Sequence, residues 1–264
     1  IGECRESGID LLPPDINASG ADFTVEGDTL RFGLVAVKGV GRGVILDLLA
    51  ERERGGHFTS FADFCQRLGG ADLNRRVAES LIKCGAFDSL GYRRSQLLAV
   101  YGQVLEGVAQ QRKKNLEGQF DLFGGGGEEP SAVTDPPMPN LPEFTRQERM
   151  AMEKETTGLY LTGHPMDEYR QAAKAVHAAP MGAILADFAK ESGPDTYRDE
   201  QKVTLAGVVA AAKTKTTRNN TLMCYVTLED DTGSMELLVF ARTLSASGAL
   251  LQENTPVWVT GRLS

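Results

Sequence analysis

The segment "LVAVKGVGRGVILDLL", Leu34 to Leu49, decides how the first half of the chain is read. Leu34, Val37, Val40, Ile45 and Leu48 form an apolar frame around Gly39-Val40-Gly41. Two glycines let the chain turn tightly and bring backbone N–H groups close to a ligand. The second arm opens with the orphan donors and positive dipole end of a helix N-terminus, the chemistry of an anion site. Lys38 and Arg42 flank the turn and add charge. A site of this kind grips the DNA backbone without reading bases. The bland alternative is a helical hairpin whose glycines serve close packing alone.

The pattern resembles a helix-hairpin-helix motif. A second, degenerate copy is read at "LIKCGAFDSLGYRRSQLL", with Gly85 in the turn and Arg93-Arg94 at the next helix start. Phe87 fills its second glycine position. Around these turns, helical spacing joins Val44, Ile45, Leu48 and Leu49, then Val77, Leu81 and Ile82. A third stripe runs through Leu97, Leu98, Tyr101, Val104, Leu105 and Val108, on a helix expected to end near Asn115. Ser60 and Asn74 read as N-caps, Asp63 as the acidic member of a capping box, and Gly85 as a helix stop. Upstream, "FTVEGDTLRFG" reads as a hairpin around Gly27-Asp28, with Phe23, Val25, Leu30 and Phe32 as its apolar residues.

Downstream, "EGQFDLFGGGGEEP" breaks all periodicity. Polyglycine builds no core, so Phe120, Leu122 and Phe123 either fold back or meet a partner. Gln119-Phe120-Asp121-Leu122-Phe123 has the form of a linear interaction motif: two apolar residues for a pocket and a glutamine for its edge. Helices are expected in "TRQERMAMEKETTG", after the Gly163-His164-Pro165 turn, and in "MGAILADFAK". From Lys202 the pattern turns to β, with four strand candidates and a helix, "ARTLSASGALLQ", before the last. This order suggests an OB-fold. Lys213, Lys215 and Arg218 cluster at the tip of its first hairpin, where such folds meet single strands, although a solvated hairpin has the same composition. Tyr225 is placed either to stack on a base or to pack.

Composition sets limits. The 264 residues are 41% hydrophobic and 24% charged, as in ordinary globular chains. The net charge of −8 denies the chain a whole-surface basic footprint, so any nucleic-acid contact rests on local cations and backbone amides. Cys4, Cys65, Cys84 and Cys224 are scattered and read as reduced thiols; His57, His164 and His177 lie far from them, so no metal site is expected. No Gly-x-x-x-x-Gly-Lys loop and no catalytic constellation is visible, and turn chemistry explains Asp230-Asp231. No apolar run spans a bilayer. A first residue that is Ile1 and a final "VWVTGRLS" read as an internal piece of a longer chain.

Taken in order, "GIDLLPPDIN", "LRFGLVAVKGVG", "LIKCGAFDSLG", "QFDLF", "EKETTGLYLTGHP" and the OB-like end resemble the alpha-subunit family of bacterial DNA polymerase III, the C-family replicative polymerases. The resemblance implies a multidomain α + β chain. Residues 1–30 would end the fingers region, and 31–116 would form a tandem helix-hairpin-helix module holding duplex DNA. Residues 117–143 would be a clamp-binding loop, 144–200 a helical connector, and 201–264 an OB-fold incomplete at its C-terminus. Gln119, Phe120, Asp121, Leu122 and Phe123 match the pentapeptide that binds the beta sliding clamp. Lys38, Gly39, Val40, Gly41, Arg42, Gly85, Arg93 and Arg94 would contact duplex DNA, and Lys213, Lys215 and Arg218 single-stranded DNA. The family's catalytic aspartates, which use Mg2+, lie upstream of Ile1, so no catalytic residue or cofactor is expected here. Partners would be DNA, the clamp and other replicase subunits, in the bacterial cytoplasm and away from membranes. An error-prone relative of the subunit, or a non-catalytic DNA-repair adaptor with the same modules, are the alternatives.

Overall fold

Alternating and helical apolar residues sort the chain into two compact units, residues 1–162 and 163–264. The computed structural model describes residues 9–69, 73–119, 134–216 and 220–264.

The first unit opens with a three-stranded sheet of order β1-β3-β2, built from β1 (Asp10–Leu12), β2 (Thr24–Glu26) and β3 (Thr29–Arg31). The expected hairpin forms, with Gly27 in the left-handed region at its turn (φ 60°). Its apolar residues divide unequally: Phe32 is buried, whereas Val25, on the edge strand β2, is exposed. Residues 9–32 are not a separate piece. Ile16 is buried in the helical core, and its N–H donates to the carbonyl of Ala86 at 3.0 Å. The Asn17 side chain exchanges hydrogen bonds with the backbone of Phe58 in both directions, at 2.8 and 2.9 Å. The expected boundary at residue 30 therefore crosses a packed core rather than a seam.

Helices follow: α1 (Arg42–Gly55), α2 (Phe61–Leu68), α3 (Arg75–Lys83) and α4 (Arg94–Gln119). Ser60 and Asn74 cap α2 and α3, accepting the N–H groups of Asp63 and Val77. The box at α2 is displaced by one residue, since Asp63 accepts from Thr59 N–H instead of Ser60 N–H. Helix α3 stops in a Schellman turn. Gly85 N–H donates to Ile82 and Ala86 N–H to Leu81, with Gly85 at φ 85°. Phe58, Phe61, Phe64 and Phe87 meet edge-on at 4.9 to 5.2 Å between ring centres and fill the middle of this unit. Helix α4 runs four residues past Asn115.

Residues 134–143, read in sequence as linker, are pinned to the helices. Asp135 accepts from Tyr92 Oη–H and, at 2.6 Å, from Ala62 N–H. The carbonyls of Pro139 and Leu141 accept from Gln96 (3.0 Å) and Arg93 (2.7 Å). Helix α5 (Arg146–Thr157) then starts with a reciprocal capping box between Thr145 and Glu148. The division between the two units thus falls inside the expected 144–200 connector, because its first part is bonded into the helical unit.

The second unit carries α6 (Arg170–Ala175), α7 (Met181–Phe188) and a four-stranded antiparallel sheet of order β6-β5-β4-β7. Its strands are β4 (Lys202–Thr216), β5 (Leu222–Glu229), β6 (Ser234–Val239) and β7 (Pro256–Arg262), with α8 (Ala241–Ser247) before the last. A register shift between Val209 and Ala211 bends β4, the 15-residue strand shared by both halves. Leu205, Val209, Cys224, Val226 and Leu228 line the inner face, closed by Met181 and Ile184 of α7. The sheet curls into a half-barrel, consistent with the expected OB-fold.

Candidate nucleic-acid interface

The first turn is built on buried anchors. Leu34 belongs to a single 3-10 turn (Leu34–Ala36), not to a regular first helix, and Val37 and Val40 are buried on either side of the exposed Lys38 and Gly39. Gly39 has φ 82°, a conformation that disfavours side chains, and a Cβ there would come within 3.0 Å of Ser80 Oγ. Two of the turn's N–H groups are already used. Lys38 N–H donates to Thr156 at 2.7 Å and Val40 N–H to Val37 at 3.3 Å. The donors that remain for a ligand include those at the start of α1. Gly41 is its N-cap and supplies no side-chain cap, and the first intrahelical bond is Ile45 N–H to Gly41 at 3.4 Å. Gly41, Arg42 and Gly43 are exposed, and a Cβ on Gly41 would meet nothing within 4 Å.

Charge around this helix end favours an anion. Lys38 and Arg42 are exposed, and the only ion pair recorded for Arg42 among the described residues is a 4.0 Å approach to the exposed Asp22. Arg76 on α3, also exposed, lies against the turn, its Nε 3.2 Å from where a Gly39 Cβ would stand. Arg76 is not among the cations expected at this turn from the sequence. Its signal was the Arg75-Arg76 pair directly after the Asn74 cap, which puts cations at the start of the helix packed under Gly39.

The second turn is different in kind. Gly85, Ala86 and Phe87 are buried, and Arg94 is 1% exposed. The Arg94 guanidinium donates to Asp88 at 2.7 Å, to Glu153 at 3.0 Å and to the Lys83 carbonyl at 3.1 Å. This consumption removes Arg94 and Gly85 from the expected DNA contacts: they build the turn and face no solvent. Arg93 stays exposed, with one nitrogen on Leu141. The N-terminus of α4 already holds an anion of its own chain. Glu143 accepts from Arg94 N–H (2.8 Å), Ser95 N–H (3.3 Å) and Phe144 N–H (2.8 Å). Partial burial of Glu143 pushes its pKa up, but the amides of Phe144, Arg94 and Ser95 outweigh it and hold the carboxyl below the usual range. The two hairpins therefore divide the work: one helix end is capped internally, the other is open.

On the second unit, Lys213 and Lys215 are exposed and share the outer face of β4, with Lys213 directly opposite Tyr225. Lys215 Nζ sits 4.8 Å over the Tyr225 ring, so the half-buried tyrosine serves first as a seat for the lysine. Arg218 lies outside the described residues. So do Phe120, Asp121, Leu122 and Phe123; Gln119 is the last residue of α4. Among the described residues no three His, Cys, Asp or Glu side chains converge on a metal position, and no helix is long and apolar enough to cross a membrane.

Comparison with known proteins agrees with both halves of this geometry. The helix-hairpin-helix motif family matches residues 8–97, and the family of OB-fold nucleic acid binding domains matches residues 203–264. Along the whole chain, the DNA polymerase III alpha subunit of Deinococcus radiodurans is 36% identical over 259 residues, 98% of this chain. Those of Vibrio cholerae and Escherichia coli K12 are each 35% identical over 265 residues, the full chain. Along its whole length this chain is similar to the DNA polymerase III alpha subunits. It spans only 19–22% of the length of these relatives.

Proposed function

We propose that this chain is the DNA-holding and clamp-tethering region of a replicative polymerase alpha subunit. The carrying observation is the open N-terminus of α1: uncapped, exposed, and surrounded by Lys38, Arg42 and Arg76. It suits a duplex phosphate, and several such contacts give grip independent of sequence. The whole subunit performs template-directed DNA synthesis in the bacterial cytoplasm, using Mg2+ held on carboxylates elsewhere in that protein; this region adds processivity. Gln119 to Phe123 bind the beta clamp, which raises the effective concentration of polymerase at the primer end. Other replicase subunits complete the assembly.

Two outcomes are expected. Purified beta clamp, flowed over the immobilised chain in a surface plasmon resonance experiment, binds the parent sequence and loses that binding when Gln119, Leu122 and Phe123 are all changed to Ala. Equal binding by both would remove the tether. At the sheet, changing Lys213 and Lys215 to Ser weakens binding of a single-stranded oligonucleotide. It also makes the slope of log K against log salt shallower by roughly 1.4, two contacts at ~0.7 each. An unaltered slope would exclude those lysines.

A further inference from the structure

The outer face of β7 holds a group that the reading above leaves unused. Strand alternation turns Val257, Val259 and Leu263 toward the core. It turns Trp258, Thr260 and Arg262 outward. Register places Trp258 opposite Ala206, Thr260 opposite Thr204, and Arg262 opposite Lys202 on β4. The two threonine hydroxyls meet at 3.0 Å. Trp258, the only tryptophan in the chain, is 64% exposed.

A single exposed apolar side chain argues for nothing. The cations beside it do. Lys202 and Arg262 stand directly across from each other on paired strands, and like charges in that position destabilise a sheet. Glu200 relieves this only loosely, 3.5 Å from Arg262 with both groups well exposed. An anion lying over the face would neutralise both. A bare phosphate has no use for the indole; an extended nucleic-acid strand uses all of it, with phosphate on the cations, sugar–phosphate oxygens on the hydroxyls and a base on the ring.

We infer that Trp258, Thr260, Arg262 and Lys202 form a second single-strand contact, with Trp258 as the base-stacking platform. The inference rests on the nucleic-acid reading of the sheet and extends it. This group and the Lys213/Lys215 pair lie at opposite ends of β4. At ~3.3 Å per residue their nearest members, Trp258 opposite Ala206 and Lys213, are about 23 Å apart along the strand, too far to serve one phosphate.

Because the chain has one tryptophan, its emission reports on this face alone. The test titrates the 264-residue chain with unlabelled oligothymidylate and follows tryptophan emission. Anisotropy of a fluorescein-labelled oligothymidylate gives an independent measure of binding. The expected result is quenching that saturates together with the anisotropy. Trp258→Ala then weakens binding about tenfold, while Trp258→Phe, which keeps a ring, retains most of the affinity. Changing Lys202 and Arg262 to Ser lowers affinity and flattens the salt slope. If anisotropy reports binding while emission stays constant and Trp258→Ala binds like the parent, the inference is overturned and the nucleic-acid reading of the sheet survives. If anisotropy never rises, both fall together.

Discussion

Glu153→Ala destabilises the helical unit by about 3–5 kcal/mol, the cost of leaving a buried charge without its partner. Glu153 is 0% exposed and Arg94, which donates to it at 3.0 Å, is 1% exposed. The same carboxylate accepts the N–H groups of Leu161 (3.1 Å) and Thr162 (3.0 Å) and the Thr162 hydroxyl. Alanine therefore orphans one guanidinium edge and two backbone donors in one step. Equilibrium urea unfolding followed by helical circular dichroism measures this, with the two units allowed separate transitions. Asp88→Ala is the control. Asp88 also bonds Arg94, at 2.7 Å, but its side chain is 46% exposed, so water replaces it and the loss is about 1 kcal/mol. Equal losses for the two variants would mean that Glu153 is not the keystone of the second hairpin.

That network also marks the limit of what the sequence discloses. Caps and stops are local, and they were legible: the Ser60 and Asn74 side chains each reach a donor three residues on, and Gly85 supplies the left-handed residue that ends α3. The strand pattern after Lys202 was legible for the same reason, since alternation needs no knowledge of the rest of the chain. Arg94 was not. An arginine at a helix start beside a glycine turn looks like a phosphate ligand, and only Glu153, far along the chain, turns it inward. Glu143 escaped notice likewise: a carboxylate in a Pro-rich stretch gives no sign that it will cap a helix beginning at Arg94. Arg76 reaches Gly39 only because α3 packs beneath the first turn. Of the candidate site, the parts that depend on neighbours in sequence were readable, and the parts decided by long-range pairing were hidden.

Gly41→Asp separates binding from folding at the open helix end of the first hairpin. Aspartate is a better N-cap than glycine by a few tenths of a kcal/mol, and its charge suits the positive end of α1. Space is not limiting, because a Cβ at residue 41 meets nothing within 4 Å, and the backbone there is extended at φ −76°. The variant is therefore expected to be at least as stable as the parent in the same urea titration. Its affinity for duplex DNA falls about tenfold or more at low salt, because the carboxylate takes the N–H groups that a phosphate would use and repels the backbone besides. The loss is the same for duplexes of unrelated sequence. Gly39→Asp gives no such separation. Its φ of 82° and the 3.0 Å approach to Ser80 Oγ add strain, so stability and binding fall together. Should Gly41→Asp bind duplex with parental affinity while folding normally, the open end of α1 is not where this chain holds DNA, and Lys38, Arg42 and Arg76 lose their assigned role with it.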